Sequence, residues 1–241
     1  MKLCRFELTQ DPGRSRSGIF HDGRVYETDG EKAIGVHEPS KVRFLAPVGV
    51  PPSLRIFDTG DSGLVFRYGN ASALLDPGAE IDAPPGMGEL EPELRIASVL
   101  SDSGEQVDEE EANTFLLGVT LTLGFYGPEF LAVDPMRATD MPRVIGPLLT
   151  TPDDLTSDPL KIRLLVNGEL VWNTELLLDL NFAEQIGLAS RNMPVRVADL
   201  FLSPPIALPS LRESSLKRDL RPRDTVQVVV EPLGALSASI V

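Results

Sequence analysis

Cysteine is nearly absent from this 241-residue chain: Cys4 is the only one, so no intrachain disulfide can form. That usage suits a reducing compartment rather than a disulfide-stapled secreted domain. Histidine is almost as scarce. His21 and His37 both lie near the N-terminus, and each reads as an ordinary surface or hairpin residue rather than a catalyst. No apolar run approaches the roughly 18 residues that a spanning helix needs. The opening MKLCRFELTQ also lacks the apolar stretch of a signal peptide. A cytoplasmic protein is therefore expected. Bases are outnumbered, 22 Lys and Arg against 36 Asp and Glu, for a formal charge of −14. Such a chain repels nucleic acid and anionic membrane, so neither is expected as a partner. The sequence also has no Gly-rich phosphate loop, nucleophile elbow, zinc-ligand spacing or histidine–carboxylate triad.

What is present reads as strand. Hydrophobic residues make up 42%, enough to bury a sizeable core. The 20 glycines and 21 prolines then point to many turns and short strands rather than long helices. Candidate strands rich in leucine, aromatic or β-branched residues include LVFRY, LRIASVL, FLLGVTLTLGF, KIRLLVNGELVWNTE and DTVQVVVE. Asp22-Gly23 and Asn167-Gly168 are two-residue hairpin signals. GVPPS, residues 49–53, reads as a linker. The expected organisation is a small N-terminal β domain over residues 1–50 and a main domain over residues 51–241. One helix is expected over NFAEQIGLAS, with Asn181 as cap, Glu184 completing a capping box, and Phe182, Ile186 and Ala189 on one face. A second is expected over LPSLRESSLKRDL. The fold class is mainly β with a few helices (α+β).

Charge is concentrated in residues 89–112, where nine acids meet one base, Arg95. The run DEEEAN is expected to be a solvated loop between strands. GELEPELRIASVL, residues 88–100, sets Glu89, Glu91 and Glu93 at alternate positions, so all three share one face of a strand. Two readings stay open. They are metal ligands, or a polar edge before a buried strand, with Arg95 pairing one of them for under ~1 kcal/mol if exposed.

The order of these elements resembles the fumarylacetoacetate hydrolase family over most of the chain. MKLCRFELTQ…GIFHDGRVYET resembles its small N-terminal β domain, and VRFLAPVGVP the entry to its main domain. LEPELRIASVL resembles its glutamate–x–glutamate–leucine strand. TDMPRVIGPLLTTPDDL resembles its aspartate–threonine–x–x–proline–x–glycine–proline segment, and VNGEL its hairpin. The resemblance implies a mixed β-roll, a homodimer, and chemistry on 2-oxo or β-diketo acids through an enolate held on Mg2+ or Mn2+. Glu91 and Glu93 then fall on two metal ligands. Their separation along the strand, roughly 6.6 Å, is one that flexible glutamates can bridge.

The rest of the pattern departs. The third ligand, an aspartate, falls on Gly124, which has no side chain to ligate. The family's lysines fall on Arg137 and Tyr68. Its threonine–glycine–threonine–proline loop falls on Ser203, Pro204, Pro205 and Ile206. Asp140 and the Gly146-Pro147 turn match. LRIFDTGDSGLVF turns back too soon to carry the family's lid with its histidine and glutamate. The resemblance thus implies Arg137 and Asp140 as catalytic candidates and Tyr68 and Ser203 as substrate-binding candidates. Two functions follow. One is a divergent member with reduced or lost chemistry, with or without its metal, serving as a binding protein or as partner to a full-length relative. The other is an active metal-dependent hydrolase, isomerase or decarboxylase of acylpyruvate-like acids.

Overall fold

The computed structural model describes all residues except 87, 132, 157 and 178–180. The N-terminal strands are β1 (Lys2–Leu8), β2 (Asp11–His21), β3 (Arg24–Thr28), β4 (Ala33–His37) and β5 (Val42–Leu45). Next come β6 (Leu54–Gly60), β7 (Gly63–Tyr68), β8 (Leu74–Leu75), β9 (Glu80–Ile81), β10 (Glu91–Leu100), β11 (Leu116–Tyr126) and β12 (Arg143–Thr150). The chain ends with β13 (Leu160–Val166), β14 (Glu169–Leu176), β15 (Leu200–Leu202), β16 (Thr225–Glu231) and β17 (Gly234–Ile240). Among the described residues four short α-helices interrupt them: α1 (Glu109–Ala112), α2 (Pro128–Leu131), α3 (Pro135–Ala138) and α4 (Phe182–Ser190).

The strands form two sheets. The larger runs β4-β3-β2-β1-β12-β11-β10-β15-β6-β7, with β5 on β1 and β8 on β12. The smaller runs β14-β13-β16-β17-β9. Parallel pairs (β15 with β6, β8 with β12, β9 with β17) mix with antiparallel ones. The expected boundary at residue 50 falls in the connection between β5 and β6, and β1 pairs with β12 across it. Both hairpin signals hold. Asp22 (φ 46°) and Gly23 (φ 72°), like Asn167 (φ 53°) and Gly168 (φ 81°), have the two left-handed residues of a type I′ turn.

Alternation on the long strands assigns their faces. Leu94 and Ile96 of β10 and Leu121 and Leu123 of β11 pack with Ile162, Leu164, Val226, Val228 and Val230 of the smaller sheet into the main core. On β10 the other face carries Glu91, Glu93 and Arg95 first, then Ala97 and Val99. The apolar pair packs on Leu54, Ile56 and Leu202. Every residue of β10 is buried, so its glutamates lie inside the strand rather than on a polar edge before it.

The helix over 182–190 forms, but Phe182 packs on the main core while Ile186 and Ala189 pack on a separate cluster. Asn181 Oδ1 accepts from the Glu184 amide (3.2 Å), and Glu184 Oε2 accepts from Asn181 Nδ2 (2.9 Å). Ile186 and Ala189 are buried against Phe57 and Phe201. Arg55 reaches from β6 to donate to the Ala189 carbonyl (2.7 Å), satisfying an orphan group of the last turn. The second expected helix is absent. Residues 208–220 form turns, because Ser210 and the Leu211 amide are drawn to Glu91 and Ser214 bonds back to the Leu211 carbonyl. DEEEAN is not a plain loop either. It contains the single turn α1, with Glu109, Glu110 and Glu111 in solvent and Ala112 buried. Three acids at a helix N-terminus complement its dipole, which offsets their repulsion.

Cys4 is buried in β1, and loss of hydration pushes its thiol up to about 12. A protonated, enclosed thiol is inert. Native protein should therefore leave an aromatic disulfide reagent unreacted over minutes, with one thiol titrating after denaturation. Fast labelling of native protein would refute that burial.

Candidate active site

The polar face of β10 meets two further strands. In the β10–β11 register Glu91 lies opposite Tyr126, Glu93 opposite Gly124 and Arg95 opposite Thr122. The β11–β12 register, with Leu123 opposite Val144, brings Arg143 alongside Gly124. Beyond β15, the β6–β7 hairpin brings Asp58 and Arg67 to the same region. Its tight turn at Asp61-Ser62 leaves no lid between the two strands, as the sequence implied.

Arg95 is the organising residue. It is 2% exposed. Its Nε and Nη2 grip Glu93 bidentately at 2.8 and 2.9 Å. Nη1 donates to the carbonyls of Phe57 (2.6 Å) and Ser203 (3.0 Å), and Nη2 also donates to Asp58 (2.9 Å). A guanidinium has five N–H donors, so Arg95 has none left for a ligand. Arg143 then closes on Glu93 Oε1 from β12 and reaches Thr122 Oγ1 (3.4 Å). Burial alone would raise the Glu93 pKa. The charge of Arg143 and the hydrogen bonds and charge of Arg95 outweigh it and hold the carboxyl at about 2. Burial pulls Arg143 downward in turn, opposed by Glu93, and an arginine there still keeps its charge.

Glu91 faces elsewhere. Its carboxylate accepts from the Ser210 hydroxyl (2.7 Å) and the Leu211 amide (3.0 Å) and ties down the 208–220 segment. Glu89 pairs with Arg212 at the surface. Tyr126, half-buried, has its pKa raised by burial first and then by Glu91 and Glu93, so its phenol keeps its proton.

Two cavities open on this cluster. One of about 370 Å3 is lined by Asp58, Arg67, Glu93, Arg95 and Tyr126, with apolar walls that include Leu131, Pro205, Ile206 and Leu208. The other, of about 380 Å3, is lined by Arg67, Tyr68, Arg137, Asp140 and Arg143. Arg67 and Thr139 line both and are hydrogen-bonded to each other (3.2 Å). The second cavity thus gathers three of the residues singled out in the sequence: Tyr68, Arg137 and Asp140. Arg137 lies over the Phe130 ring. Ser203 lines neither cavity. Its hydroxyl accepts from the Ile96 amide and donates to the Pro204 carbonyl, so it braces β15 rather than a substrate. Sequence reasoning missed Arg67, Arg143, Asp58 and Tyr126. Only Arg95 carried a signal: a base between Leu94 and Ile96, at the start of a mostly apolar run, must be paired to be buried.

The residues do not fit a divalent ion. Oxygen ligands need free lone pairs facing one point, whereas the Glu93 oxygens serve two guanidinia and those of Glu91 serve Ser210 and Leu211. Among the described residues no three His, Cys, Asp or Glu side chains form a group able to hold a metal. No helix among them is long and apolar enough to cross a membrane.

Comparison with known proteins agrees with this architecture. A family model, fumarylacetoacetate (FAA) hydrolase C-terminal, matches residues 58–241. The mitochondrial oxaloacetate tautomerase fahd2 of Xenopus laevis is 28% identical over 184 residues, 71% of this chain. The match spans only 56% of that relative's length. The chain shares its fold with 2-hydroxyhepta-2,4-diene-1,7-dioate isomerase from Mycobacterium marinum (TM-score 0.81, 20% identity, 100% of this chain and 98% of that one). It does so also with fumarylacetoacetate hydrolase from Exiguobacterium antarcticum (TM-score 0.80, 19% identity, 100% and 99%).

Proposed function

The chain belongs to the fumarylacetoacetate hydrolase family, and from that premise we propose that it is an enzyme moving a proton on a small 2-oxo or β-diketo acid, a tautomerase or isomerase. One observation carries the reading: Arg67 stands where the two cavities meet, and among the described residues its side chain is engaged only by Thr139 and, at 3.8 Å, by Asp58. Its remaining donors suit a carboxylate, which guanidinium binds in a fork.

The proton steps use the walls of the 370 Å3 cavity. With the substrate carboxylate on Arg67, Asp58 takes a proton from the carbon next to the ketone. The C–H electron pair becomes the C=C bond, and the ketone oxygen takes the proton of the Tyr126 phenol. Asp58 then gives its proton to solvent and the Tyr126 phenolate regains one from solvent, which restores both groups; enol loss runs the same steps in the opposite direction. For a dicarboxylate, Arg137 in the adjoining cavity offers the second anion site. Carbon–carbon hydrolysis would also need a base for water, which the absent lid would have supplied, so proton transfer is favoured. No step is routed through Mg2+ or Mn2+, because the residues do not fit the ion.

The relatives' names (tautomerase, isomerase, hydrolase) favour this active reading over a non-catalytic binding protein or partner subunit. The homodimer and cytoplasmic location expected from the sequence are part of the same proposal. Light scattering and fractionation test them. The function is tested by following enol loss from oxaloacetate and hydrolysis of an acylpyruvate, each with and without Mn2+. Enol turnover well above the buffer rate is expected. No turnover of either acid in any arm would refute it.

A further inference from the structure

A β-carbon built on Gly124 would meet the Arg143 guanidinium, with Cζ and Nη2 both at 2.9 Å. No real β-carbon sits so close, so a side chain at 124 and this position of Arg143 exclude one another. Gly124 is also directly opposite Glu93 in the sheet, and Arg143 binds Glu93 through that gap. The space that an aspartate at 124 would fill therefore holds a positive charge instead.

We propose that the Arg143 guanidinium is a built-in replacement for the divalent cation, so that this protein's site is metal-independent. The substitution is consistent in charge. Gly124 with Arg143 makes this pocket two positive units richer than an aspartate with a neutral residue would, the charge a divalent ion would supply. It is consistent in chemistry as well. A carboxylate engaged by two guanidinia has its negative charge met by fixed donors, and an ion entering would have to displace a buried arginine from the one acidic partner it has among the described residues. Arg95 holds Glu93 in place for this contact with both arms of its fork. Arg143 also lines the cavity that holds Arg67 and Arg137. The electrophilic side of the cleft is thus made of side chains.

This deepens the functional reading above, but its test needs no turnover. Mn2+ at millimolar concentration is added to isotopically labelled wild-type protein, and the amide signals of Glu93 and Gly124 are followed by NMR. They should stay sharp, since a bound paramagnetic ion would broaden them. Broadening of both at one ion per chain would overturn the proposal. The double variant Gly124→Asp/Arg143→Ala removes the guanidinium and restores the carboxylate. With its circular dichroism unchanged, and with Arg95 still on Glu93, it should bind Mn2+ by calorimetry more tightly than the wild type. A folded double variant that binds no more tightly than the wild type would also overturn the proposal. If the double variant does not fold, the wild-type spectrum alone decides. Sharp signals without turnover would sink the proposed activity and leave the built-in cation standing. Broadened signals with turnover would do the reverse.

Discussion

Glu93→Gln is expected to lower stability by about 3–5 kcal/mol, the usual cost of leaving a buried charge without its partner. Two guanidinia, Arg95 at 2% and Arg143 at 7% exposure, converge on this carboxylate. Glutamine keeps the shape, but it offers one acceptor oxygen and no charge. Arg95 retains Asp58 as an acidic partner, whereas Arg143 retains none within ion-pair distance among the described residues. Most of the loss should therefore come from Arg143. In a chain of this length the change should appear as a fall of roughly 6–10 °C in Tm, read by differential scanning calorimetry. A variant melting within ~2 °C of wild type would contradict the buried cluster. The pH dependence has a fixed sign. The Glu93 pKa is lowered from 4.5 to about 2 by folding. Its contribution is complete above pH 4.5 and is lost as pH falls from there toward 2. The Glu93→Gln penalty should shrink over that window and be constant from pH 5 to 8.

Arg67→Met is expected to cut kcat/KM for the 2-oxo acid by about 10²-fold, some 2.7 kcal/mol of transition-state stabilisation, while the fold is kept. Arg67 is part-exposed, and the one side-chain hydrogen bond it makes among the described residues, to Thr139, is long. Methionine preserves the length of the stem, so the change should fall on the ligand rather than on packing. Lysine at the same position keeps the charge without the fork, and should recover part of the activity. Full activity in the methionine variant would remove Arg67 from the site and with it the proposed seat of the carboxylate. Unchanged melting beside lost activity separates this result from that of Glu93, where stability moves first.

Local pattern carried far in this chain where a signal involves neighbours along the backbone. The I′ hairpins at Asp22-Gly23 and Asn167-Gly168 need only two residues that accept positive φ. The cap at Asn181, with Glu184 on its side-chain amide, closes within one helical turn. The alternation of Glu91, Glu93 and Arg95 against Leu94 and Ile96 marks two faces of one strand. Local pattern failed where a distant group competed. LPSLRESSLKRDL has helix formers, yet Glu91 takes Ser210 and the Leu211 amide, and the segment is spent on turns. The acids of DEEEAN look like a loop until one notices that a helix start welcomes them.

The candidate site divides in the same way. Sequence by itself determined which carboxylates share a strand face, that position 124 bears no ligand, that the β6–β7 connection is too short for a lid, and which family order the elements follow. It did not determine what each glutamate does. Glu91 and Glu93 are two residues apart on one face, yet one anchors a loop and the other accepts from two arginines. That difference was settled only by tertiary structure. Arg143 comes from another strand, and its guanidinium can reach Glu93 only because the β10–β11–β12 register sets the empty side of Gly124 between them. Periodicity along a strand records which way a side chain points, whereas pairing across strands records what it meets. In this fold the identity of the cation is a matter of the second kind.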